Sequence, residues 1–264
     1  FRCVNEAMPS LSIIVDRETA HSRWKAKGID RMKTLIPPID DRSTLSDLIC
    51  EGNLDDSEKM AFHALFAEDD RTLVLRRGCK GRPRIGSMLW AEHFDQDWRN
   101  KGGFWQSIFD DIGTEDELRV MFAGSVFGGT GASGTPTLAQ KFIRACRLGE
   151  TGNTASFANH VALTLMLPYF DVGQDTDVDS GLFAINSKMA LKYYETSELL
   201  SEVEFAQFVG DDRRQMEKKD EQGKWGRVRL DRGSRVDEGQ NDPSMPAELM
   251  AAIGICRYFA GDIP

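Results

Sequence analysis

Short runs of consecutive apolar residues alternate along this chain with longer segments whose apolar residues recur at helical spacing. Residues 10–15, Ser-Leu-Ser-Ile-Ile-Val, read as a buried strand that ends at Asp16. Thr72–Leu75, residues 118–124, Val161–Leu167 (closed by Pro168) and the alternating run 203–209 read as further strands. Between them, helices are expected over 57–66, 87–98, 137–146, 185–200 and 246–260. The first would place Met60, Ala61, Ala64 and Leu65 on one side. The fourth would use Met189, Tyr193 and Leu200 as core positions. The last starts at Pro246, which suits a first helical turn, and carries few charges, so it is expected to be largely buried. Segment 19–70 is mixed, with Pro37-Pro38 and Gly52-Asn53 as breakers. Segment 211–240 is charged and punctuated by glycine, which predicts a solvated hairpin or loop.

Strands that alternate with helices predict an α/β fold with a mainly parallel sheet flanked by helices. In such a sheet, ligands bind outside the carboxyl ends of the strands. Asp16, Gly78–Gly86, Gly128–Gly134 and the residues after Leu167 all follow expected strands. One mouth of one sheet would then gather all four.

Composition narrows the class. The 264 residues suffice for one large domain or two small ones, and 41% hydrophobic with 28% charged residues is ordinary for a globular protein. No apolar run reaches the length of a membrane span. A net charge of −9 argues against a nucleic-acid surface. Five scattered cysteines without a CxxC pair make a zinc site an unfavoured reading and suit a reducing cytoplasm. The chain opens on Phe1 with no signal-peptide pattern, so it is expected to start inside a longer polypeptide.

The candidate chemistry centres on Val126-Phe-Gly-Gly-Thr-Gly-Ala-Ser-Gly-Thr-Pro136. Strand, glycine-rich turn and helix amino terminus together form a cradle for an anion. Glycine lets backbone N–H groups approach closely, and the helix dipole adds positive potential. Thr130, Ser133 and Thr135 add hydroxyls. A Walker-type loop would need Gly-Lys-Ser or Gly-Lys-Thr; Gly223-Lys224 is followed by Trp225. Gly129-Thr-Gly131-Ala-Ser-Gly134 fits G-x-G-x-x-G, yet no strand-end acid stands in the 150–160 region that a dinucleotide site requires. A glycine-rich turn without any ligand is the plain alternative.

Gly128-Gly129-Thr130-Gly131-Ala132-Ser133-Gly134 resembles the G-G-T-G-[ST]-G phosphate loop of the tubulin/FtsZ superfamily, with Ala132 inserted or replacing a small residue. Val15-Asp16-Arg17-Glu18-Thr19 is similar to the V-D-x-E-P segment of tubulins, and the 78–86 turn, with Gly78, Gly81, Arg82 and Pro83, resembles the FtsZ-type G-x-G-x-N-P-E-x-G turn. Ala184-Ile185-Asn186 is similar to the Y-N-A helix start, and Gln240-Asn241-Asp242 stands where the family's central helix begins. All occur in the family's order, from about Leu11 to Ala260. The resemblance implies one Rossmann-like GTP-binding domain over 1–264, with the first phosphate loop before residue 1 and no activation domain.

It further implies GTP or GDP held through Gly128, Gly129, Thr130, Gly131, Ser133 and Gly134, with Gly78, Gly81 and Arg82 around the γ-phosphate. Asn186 and Asn241 would read the base, and Mg²⁺ would have Asp16 and Glu18 in its outer shell. Hydrolysis would need a group from an adjoining subunit, hence self-association or other protein partners. The family's N-x-D-x-x-D catalytic loop has no match beside Asp262. A non-hydrolysing interaction module and a dehydrogenase-type NAD domain therefore stay open beside a GTPase. Asn186 reads equally as a helix N-cap, and Lys80, Arg82 and Arg84 as surface charges. Trp90, Trp98 and Trp105 read as core, and the four histidines form no spaced pair.

Overall fold

The computed structural model describes residues 13–15, 32–34, 43–49, 51–75, 79, 81–99, 105, 119–148, 160–169, 171–172, 181–210, 217–219, 225–227, 229–230 and 246–263. The chain divides into two compact units, 1–76 and 77–264.

In the first unit, β1 (Ile13–Val15) pairs in parallel with β2 (Met32–Thr34) in a sheet of their own. Three helices follow: α1 (Leu45–Leu48), α2 (Asp56–Leu65) and α3 (Glu68–Arg71). The start of α2 is set by a capping box: the Glu58 N–H donates to Asp55 Oδ1 at 2.9 Å, and the Asp55 N–H donates to Glu58 Oε2 at 2.9 Å. Phe62 and Phe66 are buried with ring centroids 5.3 Å apart, whereas Met60, Ala61, Ala64 and Leu65 face solvent. The expected core face of this helix is thus corrected: the covered side is the one where Phe62 meets the Phe66 ring, and aromatic pairs gain contact energy beyond their area burial. The strand expected over Thr72–Leu75 is also absent. The Thr72 hydroxyl donates to the Glu68 carbonyl at 2.9 Å and ends α3, leaving a single antiparallel bridge between Val74 and Thr44.

The second unit is built on three parallel strands in the order β3 (Val120–Ser125), β4 (Val161–Met166), then β6 (Phe205–Val209), with Phe122 opposite Leu163 and Leu163 opposite Ala206. Between β4 and β6 in sequence, the short β5 (Asp171–Val172) pairs in parallel with β9 (Arg229–Leu230). In the charged 211–240 segment, β7 (Glu217–Lys219) and β8 (Trp225–Arg227) make the antiparallel pair of a hairpin.

Helices cover both faces of the three-stranded sheet. On one, Phe142 of α5 (Gly129–Arg147) meets Phe122 edge-on at 5.8 Å, and α4 (Pro83–Arg99) packs along α5. On the other, Gln207 Nε2 donates to Thr164 Oγ1 at 2.8 Å and to the Ala251 carbonyl of α8 (Pro246–Ala260) at 3.2 Å. Residues 161–165 are consequently all buried, as a strand covered on both faces should be. At the amino edge, Arg119 Nη1 donates to the Tyr258 carbonyl at 3.0 Å at the carboxyl end of α8, and Tyr258 Oη lies 2.7 Å from the His160 carbonyl oxygen. Burial raises the Tyr258 hydroxyl pKa, and the Glu204 carboxylate adds to the shift.

Two helices present faces other than those the sequence suggests. α6 (Gly181–Thr196) starts earlier than Ile185 and stops before Glu198, whose φ of 57° breaks it from α7 (Leu199–Glu202). Its buried positions are Phe183, Ser187 and Tyr194; Met189 and Tyr193 are exposed, and Leu200 is half-buried. Two apolar stripes lie about one residue apart on this helix, and periodicity alone could not choose between them. α8 has the expected bounds, but it buries Ala247, Ala251 and Tyr258 while Leu249, Met250 and Ile253 stay exposed. It lies on one sheet face only, so its outer side has no layer to cover it among the described residues.

Burial has a chemical consequence at Cys146, which is fully buried on α5 with its thiol pushed up to about 11 by desolvation. Iodoacetamide at pH 8 is expected to modify the half-buried Cys256 well before Cys146. Peptide mass mapping over time checks this; equal rates would mean that α5 opens readily from the sheet.

Candidate functional site

The glycine segment is helix rather than loop. α5 begins at Gly129, not at Thr137, with Gly128 as N-cap (φ −83°, ψ 173°), and Pro136 lies inside it. Glycine is a poor helix former. What holds this turn helical is tertiary packing that only glycine permits. A Cβ on Gly131 would stand 2.6 Å from the Ser125 backbone N, one on Gly129 2.6 Å from Cys79 Cβ, and one on Gly134 2.5 Å from Trp90 Nε1. A Cβ on Gly86 of α4 would run into Ser133 Oγ, and one on Gly124 of β3 into Thr135 Oγ1. The motif therefore wedges α5 between β3 and α4.

These contacts set helix direction. Arg82 lies against Gly129, Gly86 against Ser133, Trp90 against Gly134 and Phe94 beneath Lys141, whose Nζ is 5.4 Å from the ring centroid. α4 and α5 thus run side by side in the same direction, and their amino ends meet. Each end carries about half a positive elementary charge. Neither has an acidic residue in its first turn, and α5 has no side-chain cap. By contrast, α1, α2 and α3 each carry acid in the first turn. The first N–H groups of α5 have no partner within the helix. An anion placed there would meet two aligned dipoles and donors from the Gly128–Gly131 backbone.

The second glycine turn adjoins this point. The Arg82 N–H donates to the Cys79 carbonyl at 2.7 Å, closing a turn in which Gly81 has φ 75°. That left-handed conformation favours glycine. Arg82 is half-buried and Arg84 exposed. Asn186 reaches both turns: its Nδ2 donates to the Gly81 carbonyl at 2.8 Å and to the Phe127 carbonyl at 3.0 Å. Two carbonyl acceptors require the amide nitrogen there, so the orientation of the side chain is fixed by its partners. The Phe127 and Phe183 rings meet at a tilt beside this contact, with centroids 4.8 Å apart.

The sequence-derived candidates therefore separate. Gly128, Gly129, Thr130 and Gly131 form the amino end of α5, with Gly81 and Arg82 next to it. Ser133 and Gly134 lie behind that end. The buried Ser133 hydroxyl donates to the Gly129 carbonyl at 2.6 Å, and Gly134 is under Trp90. Asn186 lies inside α6 rather than at an N-cap, and only its Oδ1 remains to accept from a ligand. Asp16, Glu18, Gly78, Lys80 and Asn241 lie outside the described residues. β1 belongs to a separate two-stranded sheet and Thr72–Leu75 is not a strand, so the four expected loops do not share one sheet edge. Of the four, only Gly128 and the residues after Met166 follow strands of the three-stranded sheet. The Trp90 contact was not anticipated: its Nε1 donates to the Thr130 carbonyl at 3.3 Å. Paired glycines at 86 and 134 were the available signal.

Among the described residues, no group of three or more His, Cys, Asp and Glu is placed to hold a metal ion. No described helix is long and apolar enough to cross a membrane. Compared with protein-family models, curated proteins and solved structures, the chain matches none.

Proposed function

We propose that the chain is a tubulin-like nucleotide-binding domain that holds the phosphates of GTP or GDP at the amino end of α5. One observation carries the reading. An acid-free, side-chain-uncapped helix start, following a parallel strand, lies beside a second acid-free helix start and a glycine turn. The backbone N–H groups of Gly128–Gly131 and the half-buried Thr130 would bind phosphate oxygens, with Gly81 and Arg82 flanking them. Mg²⁺ would ride on the phosphate oxygens and be completed by water. Hydrolysis would be a matter of positioning and charge stabilisation, completed by a group from an adjoining subunit.

A second reading, a nucleotide-dependent scaffold that docks on partners without turnover, is favoured by the exposed Leu182, Ile185 and Met189 on α6 and Leu249, Met250 and Ile253 on α8. Mass identification of nucleotide extracted from the purified protein tests the first step; guanine nucleotide is expected, and NAD alone would overturn the reading. Phosphate release per molecule that climbs with protein concentration supports shared sites. Tight GTP binding without turnover at any concentration selects the scaffold.

A further inference from the structure

We propose that Asn186 is a positioning residue that locks the two glycine turns into one phosphate cradle, an inference that rests on the nucleotide reading above. A trans peptide is planar, with its C=O and N–H pointing in opposite directions. Asn186 holds the carbonyl of the Phe127–Gly128 peptide, and so aims the Gly128 N–H away from itself. It also holds the carbonyl of the Gly81–Arg82 peptide, whose N–H is fixed on the Cys79 carbonyl. One side chain thereby sets the orientation of two peptide units on separate elements. Phe183, one turn earlier on the same helix, packs on Phe127 and holds α6 in register with this contact. An anion that draws on the Gly128 N–H is therefore felt at the Gly81 turn through a single amide group. This role differs from base reading, because both N–H donors of Asn186 are engaged by the protein itself.

The test uses N186A and N186D in the full chain, with inorganic tripolyphosphate, GTP and ATP as probes. Positioning predicts that N186A weakens tripolyphosphate binding about tenfold or more, because a small misplacement of donors is costly. N186D should weaken it further, since a carboxylate would face two carbonyl oxygens. Amide exchange should rise locally at Arg82 and Val126, whose N–H groups bond to the Cys79 and Met166 carbonyls, and stay unchanged at Leu163 and Leu165 in the sheet. A base reader would instead lose discrimination between GTP and ATP while keeping its tripolyphosphate affinity. That outcome, or exchange at Arg82 and Val126 identical to the parent chain, overturns the proposal. A parent chain that binds none of the three probes overturns the nucleotide reading, and the exchange comparison still decides whether the tie exists.

Discussion

On the nucleotide reading, Gly128→Asp is expected to stabilise the protein and to weaken anion binding at the start of α5 together. Gly128 is the N-cap of α5, and its φ of −83° is open to any residue. A Cβ there would meet only the Ser125 hydroxyl, at 3.0 Å, which is a side chain able to turn away. An aspartate at this position can accept from the free N–H groups of the first turn and adds a negative charge at the positive end of the dipole. The expected gain is about 0.5–1 kcal/mol in unfolding free energy. The same carboxylate occupies the donors a phosphate needs and repels it. Losing charge-assisted bonds worth about 3 kcal/mol weakens affinity roughly a hundredfold. Denaturant unfolding and calorimetric titration with GTP and tripolyphosphate measure the two effects. Retained GTP affinity in a stabilised variant would place the ligand elsewhere and leave this helix start as a structural feature.

Gly131→Ala should act on the fold and Gly128→Ala should spare it. Alanine is the better helix former by about 1 kcal/mol. At position 131, however, the added Cβ would be 2.6 Å from the Ser125 backbone N and 2.8 Å from its carbonyl oxygen. Backbone atoms of a central β3–α5 junction cannot rotate aside, so the overpacking cost should reach about 3 kcal/mol. The net loss is then about 2 kcal/mol for Gly131→Ala, against well under 1 kcal/mol for Gly128→Ala. Equal stability of the two variants in urea titrations would mean that β3 and α5 are not wedged as described. The pair also protects the functional test: lost nucleotide binding in a Gly131 variant reports packing first, whereas Gly128 reports the ligand.

Much of the α/β architecture was legible in the chain. The apolar run at 161–167 marks a strand covered on both faces, because only a doubly buried strand does without alternating polar positions. The Pro246 start and the Gly261 stop, the latter with φ 75°, fix α8 by backbone chemistry alone. Which side of a helix is buried was less legible. On α2 and α6, apolar residues occur on more than one stripe, and periodicity does not choose the one that carries the buried Phe62 or Tyr194. The start of α5 at Gly129 instead of Thr137 is also set by packing: intrinsic propensity disfavours helix over Gly129–Gly134, and the close approach of Gly86, Trp90 and Gly124 overrides it.

The sequence by itself determined the chemistry on offer: glycines at 81, 128, 129, 131 and 134, an acid-free segment around them and an asparagine downstream. Tertiary structure alone decided how that chemistry is shared out. Close backbone packing takes Gly129, Gly131 and Gly134, the helix's own carbonyl takes the Ser133 hydroxyl, and two turns take the Asn186 amide. What is left facing outward is the Gly128-capped end of α5 beside the end of α4. Their meeting depends on two helices lying parallel, a relation between residues about 47 apart that no local pattern encodes, because packing distance and not chain distance sets where dipoles add.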